Sequence, residues 1–417
     1  STSELLSQNA GVPVLDASGC LVSPGLVNAH QHLTGDPLVR CCIPDRLVPS
    51  TAIFDWAVPL HTHHLSDDDE LSALLCAAEN ALHGVTTVIE AGTVAHPERV
   101  ASALQEVGIR AAISTWGWDA PNTPFSGPID EQINRARRLI DRFPAGGLVE
   151  AWVALVGHDL VSDELFVRAA ELARSERTRL TFHLSPTPAD SRIFVDRCGE
   201  RPFTHLRQLG VLGPDVLVAH GVWVDDAEVE AILESRTALA YCPWAYLRLA
   251  QGVTRAGRHF EILRRGGRIA LGADSNNAGD SCDILGAAAL AIGLERDRSV
   301  DPLDVGADTA LELATITGAE AIGMADRIGS LEVGKQADLV VHRQYGPPGD
   351  PALQLVWGSH SRQVQHVFVA GRPVVRDGVC TNVDTEELRI RGAAAQQNLL
   401  RRAGRTLTPR WPEHDAR

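Results

Sequence analysis

Residues 216–244 read VLVAHGVWVDDAEVEAILESRTALAYCPW. The run VLVAHGVWV (216–224) is apolar and β-branched. DDAEVEAILES (225–235) spaces its apolar residues as a helix laid on a sheet does, and TALAYCPW (237–244) returns to a short apolar strand. Strand, helix and strand in that order make a parallel β/α/β unit. The same alternation extends outward in both directions. Upstream strands are predicted at LVSPGLVNAH (21–30), VTTVIEAG (85–92), RAAISTWGW (110–118), LVEAWVALVG (148–157) and RLTFHLS (179–185), and downstream at RIALGADS (268–275). Amphipathic segments such as DDDELSALLCAAENALH (67–83), SDELFVRAAELARSE (162–176) and FEILRRG (260–266) lie between them. Eight strands alternating with helices imply an α/β fold, a (β/α)8 TIM-type barrel.

Both chain ends fall outside that count. VPVLDASGCLVSPG (12–25), GSLEVGKQADLVVH (329–342) and HVFVAGRPVVRDGVC (366–380) read as short strands joined by Gly and Asp turns. They predict a small β-sandwich beside the barrel. The expected organisation is residues 1–24 as its N-terminal part, 25–326 as the catalytic barrel, 327–385 as its C-terminal part and 386–417 as a terminal helix and tail. Residues 310–323 are expected to form a connecting helix.

Of the 417 residues 44% are hydrophobic and 22% charged, the proportions of a globular protein rather than a disordered or fibrous one. A net charge of −15 disfavours nucleic acid and anionic membrane, so the expected partner is a small-molecule substrate. No apolar run reaches membrane-spanning length, and the opening residues lack the pattern of a secretory signal. The eight cysteines are scattered without a CxxC, which predicts reduced thiols and a cytoplasmic protein.

In such a barrel the chemistry sits at the C-terminal strand ends. Strand 1 closes on His30 and His32, strand 5 on His183, strand 6 on His220 and strand 8 on Asp274. His30 and His32, two apart on an extended strand, point to one side and can share an ion. Imidazoles with one carboxylate suit one divalent metal, zinc first, with iron, cobalt or manganese as replacements. His61-Thr62-His63, after Pro59, reads as an exposed loop or a helix start, and His158 follows strand 4 where pocket residues sit.

The stretch PGLVNAHQHL, the strand-end His183, His220 and Asp274, and the closing GSLEVGKQADLVV resemble the metal-dependent amidohydrolase superfamily, specifically its cytosine deaminase-like and triazine hydrolase-like branch. The resemblance runs from about Val12 to Cys380. It implies a mononuclear centre with His30, His32, His183 and Asp274 as ligands, Asp274 and His220 as catalytic groups around the attacking water, and a homo-oligomer, dimer or larger. Binuclear members bridge their metals through a lysine at the end of strand 4. Here the sole lysine is Lys335, and Glu150 lies early in that strand. Relatives have longer leaders, so further N-terminal strands are expected.

Two departures bear on the substrate. Deaminases of the branch carry H-x-x-E after strand 5, where this chain has His183-Leu184-Ser185-Pro186. Proline cannot move a proton, which favours hydrolysis of an open amide, urea or carbamate C–N bond. The alternatives are an aminohydrolase of a pterin, purine, pyrimidine or triazine and a non-catalytic barrel scaffold. After strand 7, Trp244 and Tyr246 replace small polar residues and read either as packing or as an apolar pocket wall, which Trp116, Trp118 and Phe125 could extend. Asn276, in the loop after Asp274, is a candidate contact to substrate. Asp36, Arg40 and Arg46 read as solvated loop charges.

Overall fold

The computed structural model describes residues 4, 7–35, 37–275, 277–279, 281–344, 346–359 and 364–407. The barrel strands are β2 (Leu26–Gln31), β3 (Val85–Glu90), β4 (Arg110–Ile113), β5 (Val149–Ala151), β6 (Val153–Gly157), β7 (Leu180–Leu184), β8 (Val216–His220), β9 (Ala238–Tyr241) and β10 (Arg268–Leu271). They form two parallel sheets, β2-β3-β4-β5 and β6-β7-β8-β9-β10. The predicted fourth strand is interrupted at Trp152. Its first half pairs with β4 and its second with β7, so one chain segment carries the wall from one sheet to the next. The β10–β2 seam is joined by the bridge between Gln31 and Asp274, with the Asp274 amide donating to the His30 carbonyl at 2.9 Å. Asn28 and Gln31 brace it. The Asn28 side-chain Oδ1 accepts from the Ala273 amide, and Gln31 Nε2 donates to the Asp274 backbone carbonyl.

Local chemistry accounts for the helix at 225–235. Asp225 accepts from the Glu228 amide at 3.0 Å while Glu228 accepts from the Asp225 amide at 3.1 Å, a reciprocal cap at the start of Asp226–Ser235. Val229 and Ile232 on that helix are fully buried. The segment at 310–323 is two helices, Ala307–Ala314 and Ile316–Ala321, broken at Thr315. It covers the N-terminal ends of the strands, where Arg179 donates to the Ala321 carbonyl and Arg327 to Glu150.

The predicted first strand also divides. Cys20–Pro24 (β1) leaves the barrel and pairs antiparallel with β11 (Leu339–Arg343), followed by β12 (Val364–Val369), β13 (Arg372–Arg376) and β14 (Val379–Cys380). Gly25 marks the parting, because a Cβ there would sit 2.1 Å from Thr86 Oγ1. Both chain ends thus meet as expected. Among the described residues, however, they build one five-stranded sheet, and its partner layer is the helix Ser66–Leu82 rather than a second sheet. Val12 and Val14, expected in a strand, are exposed and unpaired in any sheet. The terminal helix is Thr385–Arg402, capped by Asp384. All eight cysteines are free thiols. Among the described residues no helix is long and apolar enough to cross a membrane.

Candidate metal centre and pocket

The C-terminal strand ends bring together the five residues singled out from the sequence. His32 Nε2 lies 3.4 Å from Asp274 Oδ1 and 3.4 Å from His183 Nε2, and His30 Nε2 lies 3.7 Å from the same carboxylate oxygen. His30, His183 and His220 each present a ring nitrogen within 4.8 Å of the others. The close approach of β6 to β7 depends on Gly157, whose Cβ would fall 2.0 Å from the His183 carbonyl. His158, Ser185, His220 and Asp274 all adopt left-handed backbone angles, with φ between 52° and 78°. For residues other than glycine that conformation costs energy, and it clusters where geometry is fixed by function.

The ring tautomers follow from the outer partners. His183 Nδ1 must donate to the Val156 carbonyl at 2.8 Å, because a carbonyl only accepts. Thr93 donates its hydroxyl to Glu90, so that oxygen accepts from His32 Nδ1 at 2.9 Å. In both neutral rings Nε2 then carries a lone pair, and the two lone pairs face one another beside a carboxylate. His30 Nε2 is buried and has no hydrogen-bond partner. Converging imidazole lone pairs, with the His32 and His183 rings held from behind through Nδ1, form a donor set suited to a divalent cation.

Burial and the neighbouring histidines hold the His183 imidazole well below its ordinary range. Burial pushes His220 down to about 3. Burial alone would raise Asp274, but the neighbouring His30, His32 and His220 hold it well below the usual carboxylate range, so it is ionised. Burial would lower His158, yet the Asp190 carboxylate 3.3 Å away raises it above its usual value. Cys242 also reaches this cluster, beside His220 and Asp274. Burial, with the Asp274 charge, pushes its thiol well up, which leaves it a neutral thiol.

A cavity of about 340 Å3 opens from the cluster. Trp116, Trp118, His158 and Pro186 line it as expected from the sequence. Trp116 stacks on Phe125 at 4.8 Å, and the Trp118 indole donates to the Pro124 carbonyl. Trp244 and Tyr246 do not line it. Tyr246 is buried with its hydroxyl donating to the Ala240 carbonyl, and Trp244 packs against Gly279, so the packing reading holds for both. Asn276 and Asp36 lie outside the described residues. Arg40 pairs with Glu79 at 2.8 Å rather than being a solvated charge. Glu150 accepts from the Gly146 amide, the Trp152 indole and Arg327, none of them in the cluster.

The sequence reading missed three participants. His61 is buried and lines the cavity, bonded to Thr34 and close to Asp69, whereas His63 is exposed. The HxH pair is split by the end of a short helix, Val58–His61. Glu90 and Thr93 stand behind His32, with Glu90 also accepting from the Gly92 and Thr93 amides and from Ser114. The signal for Glu90 was its place as the last residue of β3, a C-terminal strand end like those that carry the predicted metal ligands.

Comparison with known proteins gives a consistent setting. The model of the Amidohydrolase family matches residues 21–374. A 5-methylthioadenosine/S-adenosylhomocysteine deaminase of Syntrophobacter fumaroxidans is 30% identical over 385 residues, covering 90% of this chain and 84% of the relative. The crystal structure of an adenosine deaminase from Xanthomonas campestris with bound zinc superposes with a TM-score of 0.86 at 27% identity, over 91% of this chain and 86% of that one. Atrazine chlorohydrolase from Arthrobacter aurescens TC1, complexed with zinc, shares the fold with a TM-score of 0.83 at 24% identity, over 91% and 88% of the two chains.

Proposed function

We propose, from the premise that this chain belongs to the amidohydrolase family and is an enzyme acting on carbon–nitrogen bonds other than peptide bonds, that it is an aminohydrolase releasing ammonia from the aminopurine ring of a nucleoside. The supporting observation is the His30–His32–His183–His220–Asp274 cluster opening onto a largely apolar cavity of about 340 Å3, in a chain whose relatives are named as deaminases of adenine nucleosides. The sequence alone favoured an open amide, urea or carbamate, on the strength of Pro186. That inference was too strong, because Asp274, Asp190, His158 and His220 border the same cavity as Pro186. Losing one glutamate does not empty the site of proton carriers.

His30, His32, His183 and Asp274 would hold one divalent ion, with zinc the expected metal. When bound, such an ion supplies Lewis acidity that brings the ionisation of water toward neutral pH. The ionised Asp274 accepts the proton of the attacking water and delivers it toward the leaving nitrogen. His220, kept neutral by burial, orients that water by hydrogen bonding and stabilises charge developing on the ring. Trp116 and Trp118, buried in the cavity wall, present apolar faces to a planar ring and keep bulk water away.

The test is a panel assayed with zinc-loaded protein: adenine nucleosides, pterins and triazines against aryl ureas, carbamates and amides. Ammonia release with loss of the aminopurine chromophore is expected, together with one metal per chain by elemental analysis. Faster amine release from any open-chain substrate than from every aminoheterocycle would sink the reading. Two tightly held metals would overturn the mononuclear assignment.

A further inference from the structure

We infer that the substrate's appendage beyond the ring is neutral and apolar. Of the two nucleosides in the name of the Syntrophobacter relative, this chain takes methylthioadenosine and discriminates against adenosylhomocysteine. The inference rests on the aminohydrolase reading above and narrows it.

The cavity wall includes the apolar side chains of Ile43, Ile53, Phe54, Leu160, Ile193 and Leu249. Ile53, Phe54 and Ile193 remain 40%, 42% and 39% exposed, so apolar surface is left uncovered there. Among the described lining residues there is no arginine or lysine, and the carboxylates are Asp159, Asp190 and Asp274. Arginine is not scarce, since all but one of the 38 basic residues are arginines. Two near the cavity are committed elsewhere. The Arg135 guanidinium donates to the Trp116 backbone carbonyl, and Arg248 pairs with Asp45.

A guanidinium is the group whose geometry matches a carboxylate. An amino-acid tail entering this cavity would bring a carboxylate that loses its hydration, meets no arginine or lysine among the described lining residues and shares the wall with Asp159 and Asp190, which opposes binding even where one aspartate pairs with the α-ammonium. A thioether or alkyl group instead covers the uncovered apolar surface and gains from leaving water.

The experiment compares kcat/KM of the zinc-loaded enzyme for methylthioadenosine, adenosylhomocysteine and 5'-butylthioadenosine, the last matching the homocysteine chain in length without its charges. Calorimetric binding of the deaminated products of the first two supplies a second readout. The expected result is a preference of at least about 100-fold for methylthioadenosine over adenosylhomocysteine, with the butyl compound within about threefold of the methyl one. Ile193→Arg should narrow the preference at least about tenfold and tighten the homocysteine-bearing product. Equal use of both natural nucleosides would overturn the inference and leave the aminohydrolase reading standing. A slow butyl compound, or a preference unmoved by Ile193→Arg, would assign the discrimination to size and overturn it as well. Ammonia from none of the three would bring down both readings.

Discussion

At the N-terminal ends of the strands, Arg110 meets Asp338 at 3.1 Å with both side chains almost wholly buried, and Asp338 also accepts the Ala370 amide at 2.7 Å. Arg110 donates in addition to Gln336, and Arg327 reaches Glu150. At the C-terminal ends the polar groups are just as buried but not so served. His30 Nε2, His220 Nδ1 and Ser185 Oγ lack hydrogen-bond partners, and the backbone turns left-handed at four non-glycine residues. Buried polar atoms are nearly always paired; guanidinium nitrogens of Arg179, Arg268 and Arg327 at the base are exceptions too, but at the mouth the unpaired atoms stand among converging imidazoles and a carboxylate, which marks where a ligand completes the structure. The base of the barrel spends its polar groups on holding the small sheet in place, and the mouth keeps its own for chemistry.

The largest effect should come from breaking the base. Asp338→Ala leaves the buried Arg110 guanidinium unpaired, and a loss of about 3–5 kcal/mol of stability is expected, read by denaturant unfolding. The folded fraction should keep its metal content and its turnover. The opposite substitution, Asp274→Asn at the mouth, should leave the unfolding midpoint close to that of the parent and remove at least about 100-fold of kcat, the lower range for a positioned proton carrier. If Asp274→Asn unfolded the protein while Asp338→Ala silenced it, the division between the two ends would be wrong.

The same division explains what could be read before the structure was known. His30, His32, His183, His220 and Asp274 were legible because each closes a run of apolar residues, and strand periodicity alone places such positions at one end of a barrel. Glu90 and Thr93 were not, since a residue that holds a ligand from behind need not differ in type from ordinary strand residues. His61 was hidden because its approach to the cavity is set by tertiary packing against Trp116 and Phe125, at 5.2 and 5.8 Å, and not by local pattern. The division of two predicted strands, at Gly25 and Trp152, was equally silent, because a continuous apolar run does not say which neighbour each half pairs with.

A smaller effect belongs to the small sheet. His342 in β11 is fully buried, with Nε2 2.9 Å from Ser23 Oγ and no partner for Nδ1, and burial pushes it down to about 4. Its unfolded value is about 6.5, so between those two values the unfolded chain binds more protons than the folded one. Stability therefore rises with pH across that window and is lost as pH falls through it, by roughly 1.5 kcal/mol between pH 6.5 and pH 5. His342→Asn should flatten this part of the stability–pH curve. A slope unchanged in that variant would place the acid sensitivity elsewhere, and the other ring that burial pushes to about 4, His259 beside the mouth, would be the next to replace.

Tyr246 sharpens the comparison most finely, because it stands at the mouth in space and with the base in kind. Its ring lies 5.8 Å from His220, and the sequence left it open between packing and a pocket wall. Its hydroxyl, however, is spent inward on the Ala240 carbonyl at 3.2 Å, and no part of it lines the cavity. Tyr246→Phe keeps the ring and deletes that single bond, so a loss of about 1 kcal/mol is expected from a carbonyl left without its partner. Because the ring still buttresses His220, kcat/KM should stay within about twofold of the parent, far less than a positioned catalytic group supplies. A drop in turnover of tenfold or more with stability unchanged would move Tyr246 from the packing beneath the site into the site itself, and the mouth would then extend one layer deeper than the cavity shows.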